Sequence, residues 1–301
     1  MNHKERSVKN LNYSQIAVGY LMILPAMGIF LVFSAYCIIK GISYSFYQWD
    51  GIGEMIPVGL GNFLKLASDQ LFWKSLYNNT VYAFGIIVFG VFPGLILAYL
   101  LSTPNIHGRT SFRFVYFLPR IISPVIYGVI WQWIYNPRNG LLPIIFKFLR
   151  ITMDDFAMLG NINTAMLGII ITGGWTYFGF CMVIFLASFQ GIDRSMEESA
   201  IIDGASKVKI FYSIVLPAIR PVINMVVIYT IIDSFKVFDL VLVMTDGGPD
   251  NSTSIMTFYI YKQAFRMNQY GYGMAVSMAL AVLMLVFTVI YQKRLAKGET
   301  D

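Results

Sequence analysis

Three charged side chains lie inside an otherwise apolar stretch, residues 221–245. Asp233 and Lys236 are three residues apart, and Asp239 follows three residues later. Side chains at this spacing are neighbours on a helix, so the sequence predicts that Asp233 and Lys236 pair. A charge in apolar surroundings is stable only where it faces a partner or water. The stretch therefore either lines an internal cavity or uses an ion pair to fix the packing of helices or subunits.

Aromatic and amide side chains occur together at the end of another apolar stretch, residues 114–135. They are Trp131, Gln132 and, just beyond the stretch, Asn136. An amide exchanges hydrogen bonds with hydroxyls and an aromatic ring packs on apolar faces, so the set suits a ligand rich in hydroxyls. The alternative is an aromatic belt at a membrane interface, which explains the aromatic residues better than it explains Gln132.

Trp175 and Tyr177 are further candidates for contact with such a ligand. They lie in the uncharged run 156–192, directly after Gly173 and Gly174. Glycines also allow two helices to approach closely, and close packing is the alternative explanation for this group.

The chain has too few charges for a soluble globular protein. Of its 301 residues, 57% are hydrophobic and 13% are charged, whereas soluble chains carry about a quarter charged residues. Uncharged runs occupy residues 16–39, 78–104, 156–192 and 267–292. Each is longer than the roughly 20 apolar residues that cross a bilayer as a helix, and lipid requires a helical backbone. The sequence therefore predicts an all-α, polytopic membrane protein.

Two further stretches are apolar but interrupted. Residues 114–135 contain Arg120 and two prolines, Pro119 and Pro124, which we expect to bend the helix, and residues 221–245 carry the three charges. We predict one transmembrane domain over residues 1–301, with about six spans, at about 16–39, 79–102, 114–135, 164–189, 220–244 and 270–292.

The positions of Lys and Arg predict the orientation of these spans. Six spans place both termini on one side, where the connecting segments carry Lys and Arg at a higher density than on the other side. Such residues accumulate on the cytoplasmic side, so we expect both termini in the cytoplasm. The net charge of +6 is then mostly an orientation signal. Since no basic stripe marks a soluble domain, a nucleic-acid partner is not expected.

The polar segment between the fourth and fifth spans, residues 190–219, is here called the inward loop. Ser195 and Glu198 match the S-x-x-E capping box, which predicts a helix start. Gly204 interrupts this helix, and a second short helix is expected over about residues 206–215, before a proline. Two short helices that meet at a glycine corner suit a groove in a partner protein. An amphipathic loop resting on the membrane surface is the alternative.

The inward loop resembles the EAA loop of permeases of ATP-binding-cassette (ABC) importers. That pattern reads E-A-A, three residues, G, nine residues and I-x-L-P, and this chain departs from it only by a serine in place of the first alanine. In that family the loop forms the coupling helices that dock on the ATPase subunit. The resemblance implies coupling positions at Glu198, Ser199, Ala200, Asp203, Gly204, Ile214, Leu216 and Pro217.

Three other stretches resemble carbohydrate-uptake permeases of the maltose and glycerol-phosphate type, in the first-permease subgroup. They are residues 61–85, 107–142 and 238–253, the last reading FDLVLVMTDGGPDNST. The resemblance implies the type I ABC importer permease fold, alternating access and a bacterial inner-membrane location. It also implies these partners: a second homologous permease, an ABC ATPase dimer, an extracytoplasmic solute-binding protein, membrane lipid and a sugar.

The sequence lacks motifs for covalent chemistry. No lysine follows a glycine anywhere in the chain, so the G-x-x-x-x-G-K-[ST] phosphate loop is missing, and ATP and Mg²⁺ are expected on the partner ATPase. No Cys, His and carboxylate cluster has zinc spacing. We therefore expect a transport protein without a metal or cofactor of its own, and not an enzyme. An ABC permease for a non-sugar solute is the first alternative. A secondary transporter is the second, although it would need internal repeats and carboxylate relays.

Overall fold

Long apolar helices dominate the computed structural model, which describes residues 13–102, 108–150 and 157–298. Those long and apolar enough to cross a membrane are Ala17–Tyr44, Gln70–Ser102, Ala165–Phe189 and Tyr270–Arg294. Two bent helix pairs raise the number of candidate spans to six if each pair is one span. The prediction of a helical, polytopic chain is confirmed. The termini, which we predicted to be cytoplasmic, include residues 1–12 and 299–301, and these lie outside the described residues.

The first two membrane-length helices are joined by a small extramembrane unit. The first helix consists of α1 (Tyr13–Phe30), a π turn (Leu31–Ala35) and α2 (Tyr36–Tyr44). The joining unit contains an antiparallel ribbon of β1 (Tyr47–Gln48) and β2 (Ile56–Pro57), followed by α3 (Gly61–Ser68). The second helix consists of α4 (Gln70–Ile86), a π turn (Ile87–Val91) and α5 (Phe92–Ser102).

The second membrane helix begins at Gln70, well before the predicted start at residue 79. Asp69 caps it, since one carboxylate oxygen accepts hydrogen bonds from the amides of Leu71, at 2.9 Å, and Phe72, at 3.4 Å. Such a cap satisfies amides that the first turn of a helix leaves unpaired. The first turns mix polar and apolar residues, so the apolar run alone did not include them.

The third predicted span, residues 114–135, is two helices. These are α6 (Arg109–Ile121) and α7 (Pro124–Ile134), and the chain bends by 99° between them. The residue before a proline avoids the helical conformation, and Ser123 is accordingly extended, with ψ of 138°. The predicted bend is confirmed, but only Pro124 breaks the helix, because Pro119 stays inside α6.

The middle of the chain continues with α8 (Leu141–Phe148) and α9 (Ala165–Phe189). Most of α9 is buried at the centre of the main apolar core, where Ile169, Met182 and Phe185 are fully covered. Two glycines make its close packing possible. A Cβ on Gly173 would come within 2.6 Å of the Tyr82 hydroxyl, and a Cβ on Gly94 within 2.6 Å of a carbonyl oxygen of α9.

The inward loop enters the fifth span through several short pieces. These are α10 (Arg194–Ile202), α11 (Lys207–Ile210), a π turn (Phe211–Val215) and α12 (Leu216–Ala218). The second predicted helix therefore continues through Pro217, and this expectation of a stop before the proline is wrong. The π turn just before Pro217 already departs from the regular α-helical hydrogen bonding that a proline would otherwise break, so the helix tolerates the proline.

The prediction of one continuous helix over residues 220–244 is also wrong. The helical pieces over Lys207–Ala218 bend by 71° into α13 (Arg220–Ser234). Residues 235–238 are not helical, and α14 (Asp239–Met244) then begins. Its first residue, Asp239, is an acid, which the N-terminal end of a helix favours.

The last part of the chain packs beside the ribbon and then continues as the last long helix. It contains α15 (Met256–Tyr261), a π turn (Lys262–Arg266) and α16 (Tyr270–Gly298). Residues of α3, α4, α15 and α16 form a second, smaller apolar cluster beside the ribbon. The start of α16 is tied directly to the ribbon, since the amide of Gly271 donates to the Trp49 carbonyl at 3.2 Å.

Candidate functional site

Two breaks in the helical bundle meet at one small cavity, here called the central cavity. The breaks are the one between α6 and α7 and the one between α13 and α14. The cavity measures about 180 Å³. Its charged and hydroxyl-bearing lining residues are Tyr82, Arg120, Tyr127, Tyr177, Asp233, Lys236 and Asp239. Non-helical backbone at membrane depth is tolerated only where it is buried in protein or lines a cavity, and this arrangement satisfies that condition.

Arg120 and Asp233 form an ion pair at this cavity. Arg120 Nη2 lies 3.2 Å from Asp233 Oδ2, and about a quarter to a third of each side chain is exposed. The Tyr177 hydroxyl donates to the same carboxylate oxygen. The Arg120 guanidinium also lies over two aromatic rings, 4.5 Å from the centroid of Tyr177 and 5.0 Å from that of Phe180. Both charges are thus compensated away from bulk water.

The predicted pair between Asp233 and Lys236 does not form. Because α13 ends at Ser234, Lys236 leaves the helical face that carries Asp233. Among the described residues, neither Lys236 nor Asp239 takes part in a salt bridge. Both nevertheless line the central cavity. The cavity therefore holds one compensated ion pair and two side chains whose charges remain open to a ligand.

Gln132 on α7 and Asn136 just after it contact protein groups instead. Gln132 Nε2 donates to the carbonyl of Val243 at 2.7 Å and to that of Met244 at 3.1 Å, which ties α7 to the end of α14. The Asn136 side chain accepts hydrogen bonds from the amides of Arg138 and Asn139 and closes a turn.

The two candidate tryptophans pack against each other. The ring of Trp131 lies 5.7 Å from that of Trp175 and 5.2 Å from that of Tyr135. Neither tryptophan lines the central cavity. Of the predicted ligand contacts, the structure brings four together at the central cavity, Tyr177, Asp233, Lys236 and Asp239. The other four, Trp131, Gln132, Asn136 and Trp175, do not line it and contact protein groups instead.

Sequence reasoning missed three lining residues, Arg120, Tyr127 and Tyr82. Arg120 could have been identified from the sequence, because a charge near mid-membrane costs about 2.5–3.5 kcal/mol on insertion scales and therefore usually faces a partner or a cavity. The same rule selected Asp233. The two tyrosines carried no comparable signal, since the chain has 19 tyrosines and only the packing of α4 and α7 shows which ones face the cavity.

The first helix of the inward loop starts and ends with well-defined caps. Asp193 is the N-cap, and its carboxylate accepts from the amide of Ser195 at 3.0 Å. The predicted capping box at Ser195 is therefore wrong. A helix capped by Ser195 would begin at the residue after it, whereas α10 begins two residues earlier, at Arg194. The backbone hydrogen bond from Ser195 lowers the pKa of Asp193.

Gly204 ends this helix in the left-handed conformation, with φ of +76°. The amide of Ala205 donates to the Ala200 carbonyl at 2.9 Å, and the amide of Gly204 donates to that of Ile201 at 3.0 Å. These two bonds define a Schellman motif, whose left-handed residue is usually glycine. The glycine corner is thus a helix C-cap that turns the chain toward Ser206, which caps the next helix.

The inward loop presents both polar and apolar side chains on its surface. Glu198, Ser199, Asp203, Gly204 and Pro217 are exposed. Ala200, Ile214 and Leu216 are half-buried, and Leu216 packs against the main core. Large apolar side chains are exposed beside the coupling positions, with Ile201 61% and Ile202 85% exposed. A hydrogen bond of 3.0 Å from the Tyr99 hydroxyl to the Lys207 carbonyl holds the loop to the end of α5.

Comparisons with known proteins show the family of this chain. The family model "Binding-protein-dependent transport system inner membrane component" matches residues 90–295. The chain is 32% identical to the trehalose/maltose transport system permease protein MalF of Thermococcus litoralis, over 94% of this chain and 95% of that protein. It is 32% identical to the lactose transport system permease protein LacF of Rhizobium radiobacter, over 90% of this chain and 92% of that protein.

The fold also matches a solved structure. A crystal structure of a bacterial ABC transporter involved in the import of the acidic polysaccharide alginate superimposes with a TM-score of 0.81. The sequence identity is 22%, and the match covers 93% of this chain and 96% of the other. At this identity the likeness supports the fold.

Proposed function

The chain belongs to the family of inner membrane components of binding-protein-dependent transport systems, and we propose that its central cavity contacts the sugar while its inward loop receives movement from an ATPase. It is a multi-pass inner-membrane permease subunit of an ABC importer for sugars or oligosaccharides, and not a catalytic enzyme. The importer works with an extracytoplasmic binding protein.

The observation that carries the first half of the proposal is the convergence of open charges and hydroxyls where two helices break. Within the described part of the chain, Lys236 and Asp239 form no salt bridge, and Tyr127 adds a hydroxyl group to the same lining. A sugar offers many donors and acceptors to such groups. The ion pair of Arg120 with Asp233 holds α6 and α13 in place around them.

The size of the central cavity supports a second permease as partner. Its volume of about 180 Å³ lies below the roughly 300–1,000 Å³ usual for small-molecule sites. We infer that this chain supplies one wall and that a second, homologous permease supplies the other. The first helix, whose apolar side chains are exposed along its length, contacts lipid or that partner.

The exposed caps and apolar side chains of the inward loop support the second half. The Schellman corner at Gly204 fixes the angle between α10 and the following helix, so the two can move as one body. Ile201 and Ile202 offer an apolar patch to a partner groove. We propose that this groove belongs to an ABC ATPase dimer, which binds ATP and Mg²⁺ on its own residues, and that the loop and both termini are cytoplasmic.

Sugar-stimulated ATPase activity tests the function directly. The complete importer, with its ATPase, second permease and binding protein, is reconstituted in proteoliposomes and exposed to a panel of mono- and oligosaccharides. We expect at least one sugar to stimulate ATP hydrolysis and to accumulate inside. If only amines, amino acids or phosphate esters do so, the importer carries a non-sugar solute. Uptake driven by an ion gradient without ATPase subunits would instead indicate a secondary transporter.

A further inference from the structure

A second and larger cavity lies at the opposite end of the bundle from the inward loop, and it is here called the outer pocket. The inward loop contacts the end of α5 through Tyr99. The outer pocket is built from the ribbon, α3 and the start of α16, and α3 directly precedes the start of α4. The helix from Gln70 to Ser102 has 33 residues and so separates the two ends by about 50 Å. The outer pocket therefore faces the extracytoplasmic side if the inward loop is cytoplasmic.

The walls of the outer pocket are held in place by the protein itself. Asn62, which is buried, donates from Nδ2 to the carbonyls of Ser45 and Tyr47, each at 2.9 Å. Asp50 closes the ribbon turn by accepting from the amide of Gly53 at 2.7 Å. Trp49 Nε1 donates to the Gly53 carbonyl at 3.1 Å. The pocket is thus formed before a ligand arrives, which lowers the entropic cost of binding.

Its volume and lining chemistry suit a neutral, hydroxyl-rich ligand. The volume is about 450 Å³, within the range of small-molecule sites. Glu54 and Gln48 are exposed and offer a carboxylate and an amide, and the half-buried Trp49 contributes an aromatic ring. An apolar ligand would leave these polar groups unpaired. An anion would meet two carboxylates, those of Glu54 and Asp50.

Lys65 supplies a donor whose position is set by two contacts. Its Nζ donates to Gln269 Oε1 at 2.7 Å and lies 4.1 Å from the centroid of the Tyr272 ring. The ammonium group has further protons to donate, and Lys65 lines the pocket. A carboxylate, an ammonium, amides and the Trp49 ring together form the kind of surface that recognises the hydroxyls and apolar face of a sugar ring.

We propose that the outer pocket is a carbohydrate subsite, which holds a terminal unit of an oligosaccharide while the rest of the chain enters the transport path. This proposal rests on the proposed function, because it assumes a sugar substrate. It predicts that the importer discriminates by oligosaccharide length, since only a chain of several units occupies both the outer pocket and the path to the central cavity. Disaccharides would use the path alone.

The test measures sugar binding to the assembled importer in nanodiscs without its binding protein. The probes are the disaccharide and the hexasaccharide of the malto-, cello-, chito- and arabino- series. The double variant Gln48→Ala with Glu54→Gln removes two exposed polar contacts and none of the hydrogen bonds that shape the ribbon. Ile52→Ala is the matched control, because Ile52 belongs to the same turn, is 96% exposed and does not line the pocket.

We expect at least one hexasaccharide to bind the wild type and the control equally. Each lost hydrogen bond typically weakens binding several-fold, so the double variant should bind that hexasaccharide about 5- to 50-fold more weakly, and disaccharides unchanged. Binding of no hexasaccharide, or equal binding by the double variant, overturns the proposal. So does a weaker affinity of the double variant for the sugar-free binding protein, which would make the pocket a docking contact. Sugar-stimulated ATPase activity is measured separately, so the proposed function stands or falls on its own.

Discussion

The central cavity and the inward loop are built in opposite ways. The cavity gathers side chains from helices far apart in the chain, such as Tyr82 on α4 and Asp239 on α14. The inward loop forms its caps within one continuous segment, between Asp193 and Ser206. A cavity assembled this way should respond to mutation through ligand affinity and helix packing. A locally capped loop should respond through its shape, and so through the transfer of movement.

The largest effect is expected for Gly204→Pro in the inward loop. A proline cannot adopt the positive φ of this residue and removes the amide that donates to Ile201, so the Schellman corner is lost. We expect sugar uptake and sugar-stimulated ATP hydrolysis to be lost while the chain still inserts into the membrane. Both activities are measured in proteoliposomes, and insertion is checked by protease protection.

Gly191→Ala is the matched control for this variant. Gly191 lies in the same loop without a positive φ, and an added Cβ would meet only ordinary contacts, the nearest a carbonyl oxygen at 3.5 Å. Uptake by this control should equal that of the wild type. Substantial uptake by the Gly204→Pro importer would show that the corner does not transmit movement and would remove the contrast between the two regions.

The ion pair in the central cavity is expected to give the next largest effect. Arg120→Met or Asp233→Asn leaves one partner uncompensated, which costs roughly 1–3 kcal/mol for a pair that is only partly buried. The double variant leaves neither charge, so its stability should recover much of that loss. The measurement is a double-mutant cycle on thermal unfolding of the assembled importer.

Uptake by the double variant separates the two roles of the pair. Recovered stability with recovered uptake assigns Arg120 and Asp233 to packing alone. Recovered stability without recovered uptake adds a contact with the sugar. Additive single effects would contradict the pairing itself.

An effect of comparable size, on sugar affinity rather than on stability, is expected at the two open charges of the central cavity. Lys236→Ala and Asp239→Asn each remove a charged hydrogen-bonding group, and hydrogen bonds to such groups contribute about 1.5–3 kcal/mol. We expect the sugar concentration for half-maximal uptake to rise roughly 10-fold or more, with little change in thermal stability. Ile130→Ala, on the exposed side of α7, is the control. Unchanged half-saturation in both variants would place the sugar elsewhere.

The sequence predicted the inward loop better than the central cavity, because the contacts of the loop are local in the chain and those of the cavity are not. A pattern such as the one from Glu198 to Pro217 is local, so spacing carries most of the information. Its errors were also local. The cap is Asp193 rather than Ser195, because two neighbouring residues of similar capping strength compete.

The central cavity could be predicted only in part, because its contacts are not local. Apolar runs located the spans, and the charge rule selected Asp233, Lys236 and Asp239. The partner of Asp233 could not be predicted, since Arg120 is 113 residues away in the chain and reaches it only because two helices break at the same place. The pattern of three-residue spacing favoured Lys236, and the end of α13 at Ser234 overrode it.

The smallest effect is expected outside both regions, at the cap of α4. Asp69 accepts hydrogen bonds from the hydroxyls of Tyr259 and Tyr272 as well as from the amides of Leu71 and Phe72. Burial alone would raise the pKa of Asp69, but these hydrogen bonds outweigh it and lower the pKa below its ordinary value of 3.8. The stabilisation by the carboxylate is therefore fully present above pH 3.8 and is lost as the pH falls through the lower, folded-state value.

We expect Asp69→Asn to destabilise the importer by about 1 kcal/mol near neutral pH, because the carboxylate is only partly buried. The difference from the wild type should shrink as the pH falls below the folded-state pKa, where the wild-type carboxyl is itself protonated. Thermal unfolding between pH 7 and pH 3 measures both, with Ser68→Ala, a neighbouring exposed position, as control. Since Asp69 belongs to neither region, ATPase coupling should stay unchanged, and so should half-saturation by a disaccharide, which does not use the outer pocket that Tyr272 lines. A change in either would mean that the end of the bundle that carries Asp69 is coupled to the central cavity or to the inward loop, and the regions could no longer be treated as separate parts.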